Sequence, residues 1–179
     1  MKESGGAKVF LVRPVELSVA TRPIPMTVKR TNVEIDALLE GARPWLYRLA
    51  LAIVAEPNLA EDVAQEALIR ANRSRRQLAS ATDPKAWLRR VLVRRAMTAL
   101  KYRKVDPLTE DLTAPDQFGS LEVRETLAQL APEDRILLAL AHFEQLSYAE
   151  IAEYLEVPEG TVASRLHSAR AAFKEAWRR

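Results

Sequence analysis

Cysteine is absent from the 179 residues, histidine occurs only at His142 and His167, and there are five glycines. The missing cysteine excludes disulfides, thiolate nucleophiles and zinc-thiolate sites. Two histidines give no metal cluster, and five scattered glycines give no phosphate-cradling loop. No apolar run approaches the roughly 20 residues of a membrane helix, and the first residues lack the apolar core of a secretory signal. Membrane insertion and export are therefore not expected, and the chain is expected in the cytoplasm. Nor is any nucleophile paired with a base, so an enzyme is not expected, and no catalytic residue, metal or cofactor is assigned. His142, among Leu138, Leu140 and Phe143, is expected to be a structural residue of a core helix.

What is present is the material of a folded protein, 48% apolar and 28% charged, long enough for one ordinary core or two small ones. The net charge is only +3, but it is unevenly placed. Between Ala67 and Val105 the bases from Arg70 to Lys104 oppose the single acid Asp83, the footprint of a polyanion binder. From Asp106 to Gly160 acids dominate, with only Arg124 and Arg135 against them, and from Thr161 the chain turns basic again.

From Val33 onward, outside a linker without regular apolar period, the hydrophobic pattern is helical, and the expected class is all-α: two small helical domains joined by a flexible linker, the second a helix-turn-helix. Residues 1–32, with Gly5, Gly6, Pro14, Pro23 and Pro25, read as a flexible leader. Within it Val9 to Val12 could form a short strand, and Met26 could be the true start. A first domain spans 33–105. Ile35, Leu38 and Leu39 form one stripe, and Pro44 suits the first turn of a separate segment carrying Leu46, Leu49, Ala50 and Ile53. Asn58 and Glu61 have capping-box spacing at the start of the next helix, Ser74 to Thr82 reads as a loop, and Asp83 with Pro84 opens a further helix. Trp87 shares the buried face of that helix with Leu88 and Val91, so it is assigned to the core rather than to base stacking. Residues 106–119 read as the linker, and 120–179 as the second domain. There Leu121 to Leu130 and Pro132 to Phe143 are expected as helices, and Ser147 with Glu150 repeats the capping box.

Two surfaces carry functional signals. The last helix buries Val162, Leu166, Ala169 and Phe173, which leaves Thr161, Ser164, Arg165, His167, Ser168 and Arg170 outward. With a short capped helix and a tight turn at Glu156 to Pro158 before it, this helix suits a DNA major groove. On the helix from Asn58, Asp62, Gln65 and Glu66 share the outer face with the apolar Ile69, the pattern of a protein-docking surface. These residues also fit a stand-alone helix-turn-helix regulator or a protein-interaction adapter.

The strings "RPWLYRLALAIV", "AEDVAQEALIRA", "DPKAWLRRVL" and "LSYAEIAEYLEVPEGTVASRLHSAR" resemble the two domains of bacterial RNA polymerase sigma factors of the extracytoplasmic-function (ECF) class. The resemblance implies a non-enzymatic promoter-specificity factor whose partners are core RNA polymerase, promoter DNA, both duplex and melted non-template strand, and an anti-sigma factor. It puts Asp62, Gln65, Glu66 and Ile69 on the polymerase clamp. It assigns Arg75, Arg76, Lys85, Arg90, Arg94 and Lys101 to minus-10 DNA, with a flipped base held near Leu78 to Lys85. Glu159, Thr161, Ser164, Arg165, His167, Ser168 and Arg170 would read the minus-35 element. The chain departs from the family pattern at Arg94, Thr98, Ala163 and Ser168, which implies an altered minus-10 preference and weaker or differently specified minus-35 contacts.

Overall fold

The computed structural model describes residues 30–102 and 121–178. The possible strand at Val9 to Val12, the leader before Arg30 and the 106–119 linker lie outside the described residues. Among those described, all regular elements are helical. The first half contains α1 (Asn32–Val54), α2 (Pro57–Arg73), α3 (Arg75–Ser80) and α4 (Pro84–Tyr102). The second contains α5 (Leu121–Ala128), α6 (Pro132–Leu138) with a π-helical turn (Ala139–Phe143), α7 (Tyr148–Leu155) and α8 (Glu159–Trp177).

The first half is a bundle in which α2 packs against both α1 and α4. The buried side of α2 is mostly alanine (Ala60, Ala64, Ala67 and Ala71, with Val63), so the neighbouring helices approach closely and fill the space with Leu46, Leu49 and Ile53 from α1 and Leu88 and Leu92 from α4. Each of these large side chains contributes about 1.5–3 kcal/mol by leaving water.

Three local expectations are corrected. Pro44 does not begin a new segment; it lies inside the continuous α1. An interior proline removes one helical hydrogen bond at a cost of about 3 kcal/mol, but Ile35, Leu39, Leu46, Leu49 and Ile53 all reach the core only if the helix runs through. Asn58 and Glu61 form no capping box, because Pro57 takes the first helical position and starts α2 earlier, with Glu56 as N-cap and no side-chain cap bond. Ser74 to Thr82 is not simply a loop: α3 forms because Leu78, fully buried, and Ala79 anchor it to the core. Arg30 ties the chain before α1 to this region, its guanidinium donating to the Ala81 carbonyl at 2.9 Å.

The Asp83 cap forms as expected, its carboxylate accepting from the Ala86 N–H at 2.9 Å, and so does the capping box of Ser147 and Glu150. Gly41, exposed in the middle of α1 just before Pro44, has open space where a Cβ would stand. Gly41→Ala is therefore expected to stabilise the protein by about 0.5–1 kcal/mol, read as a higher denaturant midpoint at unchanged slope.

In the second half, α8 packs on α6 and α7 through the fully buried Val162, Leu166 and Ala169, against Leu140 and Ile151. The π-helical turn ends with the Glu144 N–H donating to the Ala139 carbonyl at 3.0 Å, and Gln145 follows at φ 54. This wide turn swings Glu144 inward, where α1 packs against α5, α6 and the turn itself.

Candidate nucleic-acid and polymerase interface

The helix-turn-helix is built as its sequence requires. Ser147 caps α7, Glu156 at φ 56 ends it in the left-handed region, and Pro158 is the N-cap residue before α8. With Val162, Leu166 and Ala169 buried, Glu159, Ser164, His167, Ser168 and Arg170 are exposed on α8, while Thr161 and Arg165 are half-buried. Arg165 makes interactions within the fold, so it is less open than its helical position predicts.

Arg170 is held by two neighbours: its Nε donates to His142 Nε2 at 3.2 Å and its terminal N–H to the Tyr148 hydroxyl at 3.1 Å. This corrects the reading of His142 as a core residue. It is exposed on the π-helical turn and serves as acceptor for Arg170, which requires Nε2 to be unprotonated. Burial first, and the Arg170 guanidinium second, hold its pKa below the usual histidine range. A base with a lowered folded pKa takes up its proton more readily in the unfolded chain. Stability is then present above the unfolded value of about 6.5 and falls as pH drops below it. In an NMR titration His142 is expected to titrate below a free histidine, and Arg170→Ala should move its midpoint upward.

On α2, Asp62 and Gln65 are exposed, and Ile69 is 43% exposed, large for an isoleucine with an ordered helix around it. Glu66 differs from these three: it is half-buried and pairs with Arg95 of α4. Beside this stripe runs a groove of about 430 Å³ lined by Leu39, Leu68 and Ile69 with Asp36, Gln65 and Arg75 at its polar edge. Arg75 belongs to that groove by its bonds, to Asn72 Oδ1 at 2.7 Å and to Asp36.

Along α4, Lys85, Arg90, Arg94 and Lys101 are exposed, as is Arg76 on α3. Trp87 packs partly buried against the core, and Leu78 is a fully buried core residue that cannot itself line a base pocket. Two of the α4 bases also meet the second half. Lys85 lies 3.6 Å from Glu144, and Arg90 lies over the Tyr154 ring, 5.7 Å from its centroid. Arg89, not singled out in the sequence, is buried and donates to Glu144 at 2.8 Å. Burial pushes the Tyr154 phenol well above the usual tyrosine range. Glu144 carried no signal in the sequence, since an acid in an acidic stretch reads as solvated.

The described residues contain no helix long and apolar enough to cross a membrane. The family model for Sigma-70 region 2 matches residues 38–105, and that for Sigma-70, region 4 matches 120–173. The chain is 32% identical over 147 residues to the ECF RNA polymerase sigma factor SigL of Mycobacterium tuberculosis, covering 74% of this chain and 82% of that protein. It is 33% identical over 163 residues to the RNA polymerase sigma-H factor of Pseudomonas aeruginosa, covering 79% and 84%. Among solved structures, its fold is similar to that of the sigma factor RpoE from Bartonella quintana, crystallised in complex with the anti-sigma factor NepR. The TM-score is 0.67 at 22% identity, covering 81% of this chain and 97% of that one. Two sigma-70 regions in order, joined to relatives that the chain spans over most of their length, establish its kinship: the chain belongs to the ECF class of RNA polymerase sigma factors.

Proposed function

We propose that this sigma factor docks on core RNA polymerase through Asp62, Gln65 and Ile69 of α2 and directs initiation by reading two promoter elements, one with each half. In this reading Glu66 acts through its pair with Arg95, holding the docking helix to the minus-10 helix. Arg76, Lys85, Arg90, Arg94 and Lys101 follow the minus-10 backbone and the melted non-template strand. The bonds of Arg75 to Asn72 and Asp36 favour a place for it on the polymerase side. The observation that carries the reading is the division of α8, with Val162, Leu166 and Ala169 fully buried and the polar face of Ser164, His167 and Ser168 exposed beyond a capped helix and tight turn. The protein works in the cytoplasm and performs no catalytic step itself, and a partner of the anti-sigma type holds it between uses.

Transcription by core polymerase with this protein tests the assignment, using promoters with intact and scrambled minus-35 elements. Wild type is expected to prefer the intact element, and Ser164→Ala/His167→Ala to lose about tenfold or more of that preference, the worth of about one specific contact. Equal transcription from both promoters in wild type and variant alike would refute the minus-35 role of α8.

A further inference from the structure

The stretch linked above to a flipped minus-10 base, Leu78 to Lys85, offers few groups that can meet one. Leu78 and Ala79 are buried, the Ser80 hydroxyl donates back to the Arg76 and Gln77 carbonyls, and one Asp83 carboxylate oxygen caps α4. Thr82 stands exposed between them, and no hydrogen bond among the described residues uses its hydroxyl. A hydroxyl both donates and accepts, so it tells bases apart only when its position is fixed.

Both ends of the turn carrying Thr82 are tied down. On the α4 side the Asp83 cap and Pro84 set the first turn of the helix. On the other side α3 has only six residues, too few to hold a helix in water alone, and its last carbonyls lack intrahelical partners. Arg30 supplies them: its N–H donates to the Ala79 carbonyl at 3.3 Å and its guanidinium to the Ala81 carbonyl at 2.9 Å, with positive charge where a helix C-terminus favours it. Arg30 is itself placed by the next residue, Thr31, whose capping box with Glu34 starts α1, and by the buried Ile35 one turn on. It lies outside residues 38–105, which the region 2 model matches, so the tie is a feature of this chain beyond that pattern.

We propose that Thr82 is a specificity-determining contact for the flipped base and that Arg30 is the positioning residue that holds it in register. The inference rests on the minus-10 reading of this half and deepens it. The ligand is an unpaired base of the non-template strand, met by the Thr82 hydroxyl, while the exposed Arg76 and Lys85 on either side follow its backbone. Arg30 touches no base in this arrangement. It acts through the Ala79 and Ala81 carbonyls, and without it the turn moves and the hydroxyl loses its fixed place.

The test loads core RNA polymerase with the full chain and offers it a pool of non-template-strand oligonucleotides randomised across the minus-10 element. Sequencing the bound fraction gives the base preference at every position. Thr82→Val, which keeps the side chain's shape and removes its hydroxyl, and Arg30→Ala are each expected to flatten the preference at one and the same position by about fivefold or more, while the other positions keep theirs. Adding Arg30→Ala to Thr82→Val should change nothing further at that position, because the second residue acts through the first. An unchanged profile in either single variant, flattening at different positions or at all positions alike, or additive losses in the double variant would overturn the proposal and leave the minus-10 reading standing. A wild-type profile with no preference at any position would refute that reading, and the proposal with it.

Discussion

Ile69→Glu is expected to weaken binding to core RNA polymerase by about thirtyfold or more, a loss of about 2 kcal/mol, with the fold intact. Ile69 is the apolar centre of a stripe whose other outward members, Asp62 and Gln65, are polar, and it borders a groove that Leu39 and Leu68 line from beneath. At 43% exposure it contributes little to the core, so replacing it changes the surface far more than the bundle. A glutamate there would have to be desolvated against an apolar partner surface, with Asp36, which lines the same groove, adding negative charge nearby. Fluorescence anisotropy against core polymerase, with thermal melting as the control for folding, measures both sides of the expectation. Binding within threefold of wild type would show that α2 docks nothing through this face.

Leu166→Ala has a larger expected effect of a different kind. Leu166 is fully buried where α8 meets α6 and α7, and truncation there costs about 2.7–5 kcal/mol, depending on how far the cavity collapses. Typical domain stabilities are about 5–15 kcal/mol, and a helical unit as small as 121–178 buries a smaller share of its surface than a larger domain, so it has less stability to lose. Amides of α7 and α8 should lose hydrogen-exchange protection first, and duplex binding should fall with them, while α1, α2 and α4 keep protection from their own core. Uniform loss of protection along the chain would instead show that the two halves unfold as one unit.

Much of this was legible in the sequence because the decisive signals were local. The Ser147 capping box, the Asp83 cap and the spacing of Val162, Leu166 and Ala169 depend on neighbours within a turn or two, and each appears in the structure. Failures occurred where distant packing outweighed local preference. Pro44 punctuates the sequence, but the core on both sides of it keeps α1 continuous. Leu78 sits in a polar stretch, and only its burial against the bundle makes α3 a helix. Glu66 and Arg75 read as surface contacts until Arg95 and Asp36 are found beside them. Glu144 was the least legible of all, since its three partners lie 99, 55 and 59 residues away in the chain.

The central claim is that this chain is a working specificity subunit of RNA polymerase, and the most direct measurement is its affinity for core enzyme at physiological salt, wild type beside Asp62→Ala/Gln65→Ala. The account predicts tight binding by wild type and a loss of about tenfold or more, at least about 1.4 kcal/mol, in a variant that melts at the same temperature. A folded wild type that does not bind core polymerase in the absence of any anti-sigma protein would contradict it.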